Sequence, residues 1–197
     1  MARTRAADYP ERREAIVERA AALFASRGFN GASMADLAVA CDTSKSLLYH
    51  YYPSKEDLLY AVMLGHIDQL VGDVAAVGAS IGQGDAKTRL GRILHAFMGH
   101  YVGAASRQKV LLNDLAHLPQ DKRASIVAKQ RGIIAAVQSL VVELNPALAA
   151  DPAAARVRTM LLFGMINWTH TWFDAAGPAS ADIVADMAFA LVAPARA

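Results

Sequence analysis

The amino-acid sequence predicts an all-α fold for this chain of 197 residues. Hydrophobic residues make up 54% of the chain, with alanine prominent and only 7% aromatic residues. Apolar residues recur at helical spacing, and runs of Val, Ile and Thr at strand spacing are missing. Proline and glycine divide the chain into segments of helical length. A chain of this size can also bury a substantial core.

The first four helices are predicted from their start and stop signals. Proline suits the first turn of a helix and glycine the position after the last turn, so Pro10 and Gly28 bracket the first helix. A capping-box-like start at Ser33 opens the second helix, and Pro53 prevents extension of the third. A second cap at Ser54 opens the fourth. These helices are expected at 10–27, at 34–41, at 44–51, and from 54 to the 71–77 region.

A stretch rich in glycine, 78–84, separates these helices from five more. It is interpreted as the end of the fourth helix and a loop, not as a free linker. Pro119, an Asn-Pro step and a Gly-Pro step supply later breaks. The five helices are expected at about 87–106, 109–117, 120–143, 153–174 and 181–192.

Composition restricts the partners and the compartment. The net charge is +2, and eight Lys/Arg balance eight Asp/Glu in residues 1–64, so a DNA-binding face must come from the arrangement of charge. The single cysteine, Cys41, excludes an internal disulfide and fits a reducing compartment. The N-terminus lacks the apolar core of a signal peptide, and the longest uncharged, strongly apolar stretch, 159–173, is shorter than the ~20 residues that span a bilayer. We therefore expect a cytoplasmic protein with no membrane partner.

Two short helices joined by a tight turn, with a polar second helix, describe a helix-turn-helix. In this motif the first helix crosses the DNA backbone and the second enters the major groove. The inner, apolar face of the pair is expected to consist of Leu37, Ala38, Cys41, Leu48 and Tyr52. Lys55 stands at a helix start, where its ammonium and the backbone amides could hold one phosphate. The open alternative is a solvated helix followed by an ordinary cap.

A long, ungapped pattern joins these elements, and it runs through Ile16, Ala20, Leu23, Phe24, Gly28, Phe29, Ser33, Leu37, Ala38, Ser44, Lys45, Leu48, Tyr49, His50, Tyr51, Ser54, Lys55, Leu58 and Leu59. With this pattern, residues 11–60 resemble the DNA-binding domain of the tetracycline-repressor (TetR) family. The family implies an all-α homodimer of about nine or ten helices. Its carboxy-terminal helices bind a small effector and change the separation of the two DNA-reading heads. The resemblance implies contact with double-stranded operator DNA by Ser33, Ser44, Lys45, Ser46, Leu47, Tyr49, His50, Tyr51 and Lys55.

Three residues depart from the family pattern. Asp42 stands where glycine is usual, at a turn position that needs φ > 0, which aspartate tolerates at some cost. Leu47 replaces the usual threonine, so contact with a thymine methyl replaces one base-edge hydrogen bond. Tyr52 replaces the usual phenylalanine, and its hydroxyl needs a partner or water. We expect these departures to alter the operator sequence, not the class of protein.

The rest of the chain, 87–197, has no pattern for catalysis, a metal ion or another cofactor. Its histidines are scattered over different helices without metal-ligand spacing. The informative stretch is 160–178, which is apolar on nearly every side up to Trp168. A pure core helix would explain this pattern, and so would the four-helix dimer interface that the family forms from this helix and the last one. We therefore expect a homodimer through 160–173 and 181–192.

The segment Phe163-Gly164-Met165-Ile166-Asn167-Trp168-Thr169, with Trp172, is similar to that of TetR regulators of fatty-acid, steroid-ring and aromatic-acid breakdown. The effectors of those regulators are acyl-CoA thioesters. Cations for the phosphates are expected at Arg107, Lys109, Lys122, Arg123, Lys129 and Arg131, and a solvated face is the alternative. The predicted effector-binding residues are Phe97, Tyr101, Arg107, Lys109, Leu111, Leu112, Leu115, Asn167 and Trp168.

These observations predict a transcriptional repressor with a helix-turn-helix domain at 1–53 and an effector-binding and dimerisation domain at 54–197. A small apolar acid or its acyl-CoA thioester would release it from a palindromic operator. A TetR-type regulator that responds to lipophilic drugs is the alternative within the class. The alternatives from other classes are a helical protein-interaction adaptor and a small all-α enzyme. The adaptor would not need Tyr49, His50, Tyr51 and Lys55 in this arrangement. The enzyme would need a paired nucleophile and base, which the sequence lacks.

Overall fold

The computed structural model describes the backbone of residues 2–79 and 84–193, and the side chains from residue 9 onward within those ranges. These residues form nine α-helices and no strand, which confirms the all-α prediction. Short 3₁₀ turns occupy Leu115–His117, Pro146–Ala150 and Trp168–Thr171. The helices are α1 (Ala2–Arg27), α2 (Met34–Ala40), α3 (Lys45–Tyr51), α4 (Lys55–Ala79), α5 (Ala86–Gly103), α6 (Ala105–Asn113), α7 (Gln120–Leu144), α8 (Pro152–Asn167) and α9 (Ala181–Val192).

Two helix starts or ends in the first half differ from the prediction. Helix α1 begins at Ala2, and Pro10 lies inside it instead of in its first turn. The residues before Pro10 are rich in alanine and arginine, strong helix formers that offset the amide bond an internal proline removes. Helix α4 continues through Gly78 to Ala79. Of the predicted glycine-rich break, Gly82 lies outside the described residues.

Two more differences occur in the second half. Helix α6 occupies Ala105–Asn113 instead of the predicted 109–117, and the Asp114 carboxylate that follows it accepts a bond from the backbone amide of Phe29, 3.3 Å away. Helix α8 ends at Asn167, short of the predicted 174. Each of the next three polar side chains bonds the carbonyl three residues earlier at 2.6–2.8 Å, which favours a 3₁₀ turn over further α-helix. These side chains are Thr169, His170 and Thr171.

The chain divides into two compact units, and the first consists of Met1–His66 and Ser106–Ile126. Its core includes Phe24, Leu37, Leu48, Leu58 and Leu59, each at most 1% exposed. The predicted boundary at 53/54 divides the chain by function, into a DNA-binding part and a part for effector binding and dimerisation, and it stays a prediction. The compact unit does not follow it, because the first part of α4 and residues 106–126 pack with the first three helices.

The second unit consists of Ile67–Ala105 and Val127–Ala197. Helix α5 packs against α9, and α8 also contacts α9. The buried side chains of these helices include Leu90, Leu94, Phe97 and Met98 of α5, Leu162 and Ile166 of α8, and Ala185 and Ala188 of α9. Asn145 connects α7 to the end of α9 through a bond from its Nδ2 to the Val192 carbonyl at 3.3 Å.

Helices α4 and α7 are long and apolar enough to span a bilayer by length and mean hydropathy alone. Core helices of water-soluble domains pass the same test. In α4 the apolar residues Leu58, Leu59, Val62 and Met63 are fully buried within the chain, so the composition of α4 is explained by its packing.

Candidate nucleic-acid interface

The turn between α2 and α3 is a Schellman-type helix end. The amide of Thr43 bonds the Ala38 carbonyl at 3.0 Å, and the amide of Asp42 bonds the Val39 carbonyl at 3.1 Å. Asp42 has φ 49°, the left-handed conformation expected from its position in the sequence. This conformation reverses the chain sharply and brings α3 against α2.

Serine caps fix the starts of both helices. Ser33 and Asp36 form the reciprocal capping box of α2, with the Asp36 amide 3.1 Å from the Ser33 Oγ. Ser44 is the N-cap of α3, and its Oγ accepts a bond from the Leu47 amide at 3.1 Å. Both hydroxyls therefore accept a bond from the protein backbone. The Ser33 Oγ also donates its proton to the Asp36 carboxylate at 2.5 Å, so of the two serines it is Ser44 that keeps its proton available for a phosphate oxygen.

The inner face of the motif agrees with the prediction. Leu48 is fully buried, and the Tyr52 hydroxyl donates to the Arg13 carbonyl at 3.4 Å, which supplies the partner that the sequence required. Cys41 is buried with its Sγ 3.7 Å from the Ile16 carbonyl. Burial raises the pKa of the Cys41 thiol, so this residue packs as a small apolar side chain.

The opposite face of α3 is open to solvent. Lys45, Ser46, Tyr49 and His50 are exposed, and Leu47 is half-buried. The Lys45 ammonium lies 5.9 Å from the centre of the Tyr49 ring, so the two side chains extend together from the same side of the helix. The helix thus presents cationic and hydrogen-bonding side chains on one face and anchors the other in the core.

Tyr51 is held at the edge of this surface by a residue of α1. Its ring lies 4.9 Å from that of Tyr9 and 5.8 Å from that of His50. Tyr51 is half-buried, while Tyr9 is exposed. The sequence alone does not show the Tyr9 contact, because the two residues are far apart in the chain.

Lys55 has structural partners that the sequence prediction did not include. Its Nζ donates to the carbonyls of Phe29 and Ala32, both at 2.9 Å, and lies 4.0 Å from the centre of the Phe29 ring. The ammonium therefore holds the α1–α2 loop to the start of α4. Its contact with a DNA phosphate remains a prediction that relies on the one remaining donor.

The same loop is held from the other side by residues that follow α6. The Asp114 carboxylate accepts the bond from the Phe29 amide, and the His117 ring stacks on Phe29 with centroids 4.9 Å apart. Asn30 Nδ2 lies 3.2 Å from His117 Nε2, and Asp114 lies 3.5 Å from His117 Nδ1. Asp114 and His117 thus lie close together, and both position the α1–α2 loop.

Arg107 of α6 forms ion pairs with two glutamates of α1. Its Nε donates to Glu18 at 2.8 Å, and its terminal nitrogen contacts both Glu14 and Glu18. Burial lowers the pKa of the Arg107 guanidinium, but the two carboxylates outweigh this effect and the pKa is raised. A phosphate at Arg107 would have to displace both glutamates, which the sequence pattern did not reveal.

The other predicted effector-binding residues are divided between the two units. In the first unit Leu111 is buried, Leu112 and Leu115 are half-buried, and Lys109 is exposed. In the second unit Phe97 and Tyr101 are buried with their rings stacked 6.2 Å apart, and Asn167 is half-buried. Trp168 is 63% exposed. The effector pocket assembled from these residues remains a prediction.

An apolar strip covers the exposed faces of α8 and α9. A shallow hollow of about 490 Å³ on α8 is lined by Met160, Leu161, Gly164, Met165, Trp168 and Trp172. On α9, Ile183, Met187 and Leu191 are also exposed. The all-round burial expected for the α8 segment is therefore absent in the single chain, since only its other face, including Leu162 and Ile166, is buried.

Two family profiles match this chain. The profile described as "Bacterial regulatory proteins, tetR family" matches residues 16–62, which contain α2 and α3. The profile described as "Tetracyclin repressor-like, C-terminal domain" matches residues 83–194. The chain therefore belongs to the TetR family of helix-turn-helix transcriptional regulators.

Three similar proteins illustrate the relationship. A TetR-family transcriptional regulator from Bordetella parapertussis 12822 is 42% identical over 91% of this chain and 93% of that chain, with a TM-score of 0.86. AibR in complex with isovaleryl coenzyme A and operator DNA is 26% identical over 91% and 97% of the two chains, with a TM-score of 0.78. The transcriptional repressor KstR2 of Rhodococcus jostii (strain RHA1) is 35% identical over 35% of this chain and 34% of that protein. The matching part of this chain covers 20% to 34% of the length of three curated relatives.

Proposed function

We propose that the protein is a cytoplasmic transcriptional repressor that binds a palindromic operator as a homodimer. The observation that carries the DNA-contact assignment is the open face of α3, where Lys45, Ser46, Tyr49 and His50 are exposed beside a buried Leu48. Serine and lysine supply donors to phosphates and bases, and Leu47 offers an apolar contact for a thymine methyl. KstR2, which is 35% identical over 35% of this chain, is itself a repressor.

The homodimer forms through the apolar strip of α8 and α9. Monomeric proteins rarely expose contiguous apolar patches larger than a few hundred Å². Trp168 and Met187 are 63% and 65% exposed in the single chain, so a second copy that covers them removes a large apolar area from water. A two-fold interface also matches a palindromic site, whose half-sites lie about 34 Å apart in successive turns of DNA.

The effector is a small apolar acid or its acyl-CoA thioester. AibR, of similar fold and 26% identical, binds isovaleryl coenzyme A, and the buried rings of Phe97 and Tyr101 provide apolar surface of the kind such an acyl group needs. Release from DNA follows from the contacts that α6 and the residues after it make with α1 and with the α1–α2 loop. A ligand that shifts α6 pulls on α1 through Arg107 and on the α1–α2 loop through Asp114 and His117.

A mobility-shift and footprinting experiment on the region upstream of the protein's own gene tests this function. Wild type should protect a palindromic site, and Tyr49→Ala should lose it with unchanged helical content. Lys87→Ala, which removes an exposed charge from α5, is the control and should bind as wild type does. Adding a free acid and its CoA thioester then tests release. Equal binding by the Tyr49 variant would show that α3 does not read the DNA.

A further inference from the structure

A groove in the second unit lies between one face of α7 and the start of α8. Its volume is about 480 Å³, and it is lined by Arg131, Ala135, Gln138, Ser139, Val142 and Arg156. The α7 residues follow one another at steps of one, three or four, so they share a single face of the helix. The small side chains of Ala135 and Ser139 leave the middle of the groove open.

The groove carries two positive charges, and none of the acidic side chains that the structure describes neutralises them. Arg131 and Arg156 are both exposed, and within the described part of the chain neither has an ion-pair partner. None of the described residues that line the groove carries a carboxylate. Glu143, which follows the lining residue Val142, is bound to Arg89 instead. Two guanidiniums open to solvent in one cleft favour an anionic ligand with more than one acceptor oxygen.

The cations predicted from sequence for the phosphates of a thioester support the same conclusion. Arg107, Lys122 and Lys129 are each bound to carboxylates, so they cannot take phosphates without breaking those pairs. Of the other three, Arg131 lies in a groove beside another arginine, Arg156, that the sequence did not place near it.

We propose that this groove binds the nucleoside-phosphate end of the effector, that is, a nucleoside carrying more than one phosphate. This inference rests on the proposed thioester effector and names the site for its non-acyl end. The guanidiniums of Arg131 and Arg156 pair with phosphate oxygens, and the Gln138 amide donates to phosphate or ribose oxygens. The Ser139 Oγ donates to the Ala135 carbonyl at 3.1 Å, so its lone pairs can accept from a ribose hydroxyl. A volume of about 480 Å³ is larger than one phosphate needs and lies within the ordinary range of small-molecule sites.

Calorimetry on the full-length protein tests the proposal with two probes, free coenzyme A and adenosine 3′,5′-bisphosphate. Wild type should bind both. The double variant Arg131→Ala/Arg156→Ala should bind both probes about tenfold or more weakly than wild type does. The affinities of Arg131→Lys/Arg156→Lys should lie between those of wild type and the alanine variant, because lysine keeps the charge but lacks the planar guanidinium that binds two phosphate oxygens at once. Lys87→Ala/Arg92→Ala removes the same charge from exposed positions of α5 and should change neither affinity.

Three results would overturn the site. They are absence of binding by wild type, equal binding by the double alanine variant, and an equal loss in the α5 control, which would indicate non-specific attraction. If sedimentation instead shows that the arginine variants weaken the dimer while nucleotide affinity is unchanged, the groove belongs to the subunit interface. Operator binding without ligand is measured on the same variants. A wild type that binds coenzyme A but no operator would contradict the proposed repressor and leave this site standing.

Discussion

The substitution Lys55→Ala distinguishes a structural lysine from a DNA-contacting one. In the structure the Lys55 ammonium gives two hydrogen bonds of 2.9 Å, to the carbonyls of Phe29 and Ala32, and lies over the Phe29 ring. Alanine removes all three interactions and leaves two carbonyls of the α1–α2 loop without this donor. We therefore expect the variant to be less stable, whatever its effect on DNA binding.

The size of the loss can be worked from these contacts. Two hydrogen bonds contribute about 1 kcal/mol each, and a half-exposed cation–π contact adds about 0.5–1 kcal/mol. Release of the ordered lysine side chain offsets part of this sum. The net loss is about 2 kcal/mol, which lowers Tm by roughly 4–8 °C for a chain of this size.

Lys45→Ala is the matched control, because Lys45 is exposed on α3, where its ammonium lies 5.9 Å from the centre of the Tyr49 ring. Its unfolding free energy should stay within about 0.5 kcal/mol of wild type. Its operator affinity should fall, and the slope of affinity against salt should become shallower by about 0.9 for one lost phosphate contact. Urea unfolding by circular dichroism and fluorescence anisotropy on operator DNA measure the two effects. An unchanged urea midpoint for Lys55→Ala, with a shallower salt slope, would refute the structural assignment.

Three further outcomes are expected. Asp42→Gly should stabilise the protein by about 0.5 kcal/mol in urea unfolding, because glycine adopts φ 49° without a Cβ penalty; a loss of stability would contradict this. Hydrogen bonds from His95 to Asp182 and Asp186 raise its pKa above 6.5, so its contribution to stability is full below about pH 6.5 and is lost as pH rises through the higher folded-state pKa. His95→Gln should therefore reduce the free energy of unfolding at pH 5.5 and little at pH 9, and an equal loss at both would exclude titration of His95 as the cause. Gly164→Glu should give monomers or aggregates in sedimentation, whereas Gly99→Glu, at an exposed site on α5 with equally open space, should remain dimeric.

Local periodicity and turn chemistry predicted the helix-turn-helix well. Apolar spacing identified Leu48 and Tyr52 as inner residues, because burial of a helix face follows directly from a repeat of about 3.6 residues. The left-handed conformation of Asp42 was expected from the family resemblance, because glycine is usual at this turn position. These properties depend on neighbours within a few residues, which a sequence pattern contains.

Partners distant in the sequence could not be predicted in this way. Lys55 bonds carbonyls 26 and 23 residues earlier, and Arg107 bonds carboxylates 93 and 89 residues earlier. A cation at a helix start looks the same in the sequence whether it faces a phosphate or a backbone carbonyl. The end of α8 was missed for a local reason, because the bonds from Thr169 and Thr171 to carbonyls compete with continuation of the helix.

The ion pairs of Arg107 with Glu14 and Glu18 also conflict with the phosphate binding that the sequence predicted for Arg107. A phosphate bound at Arg107 would break the link from α6 to Glu14 and Glu18, and a buried guanidinium that loses its carboxylates pays a large desolvation cost. An effector that used Arg107 would thus cut the connection through which a movement of α6 reaches α1. Phosphates held by Arg131 and Arg156 leave that connection intact, so the ligand can be recognised in the second unit while Arg107 transmits the movement within the first.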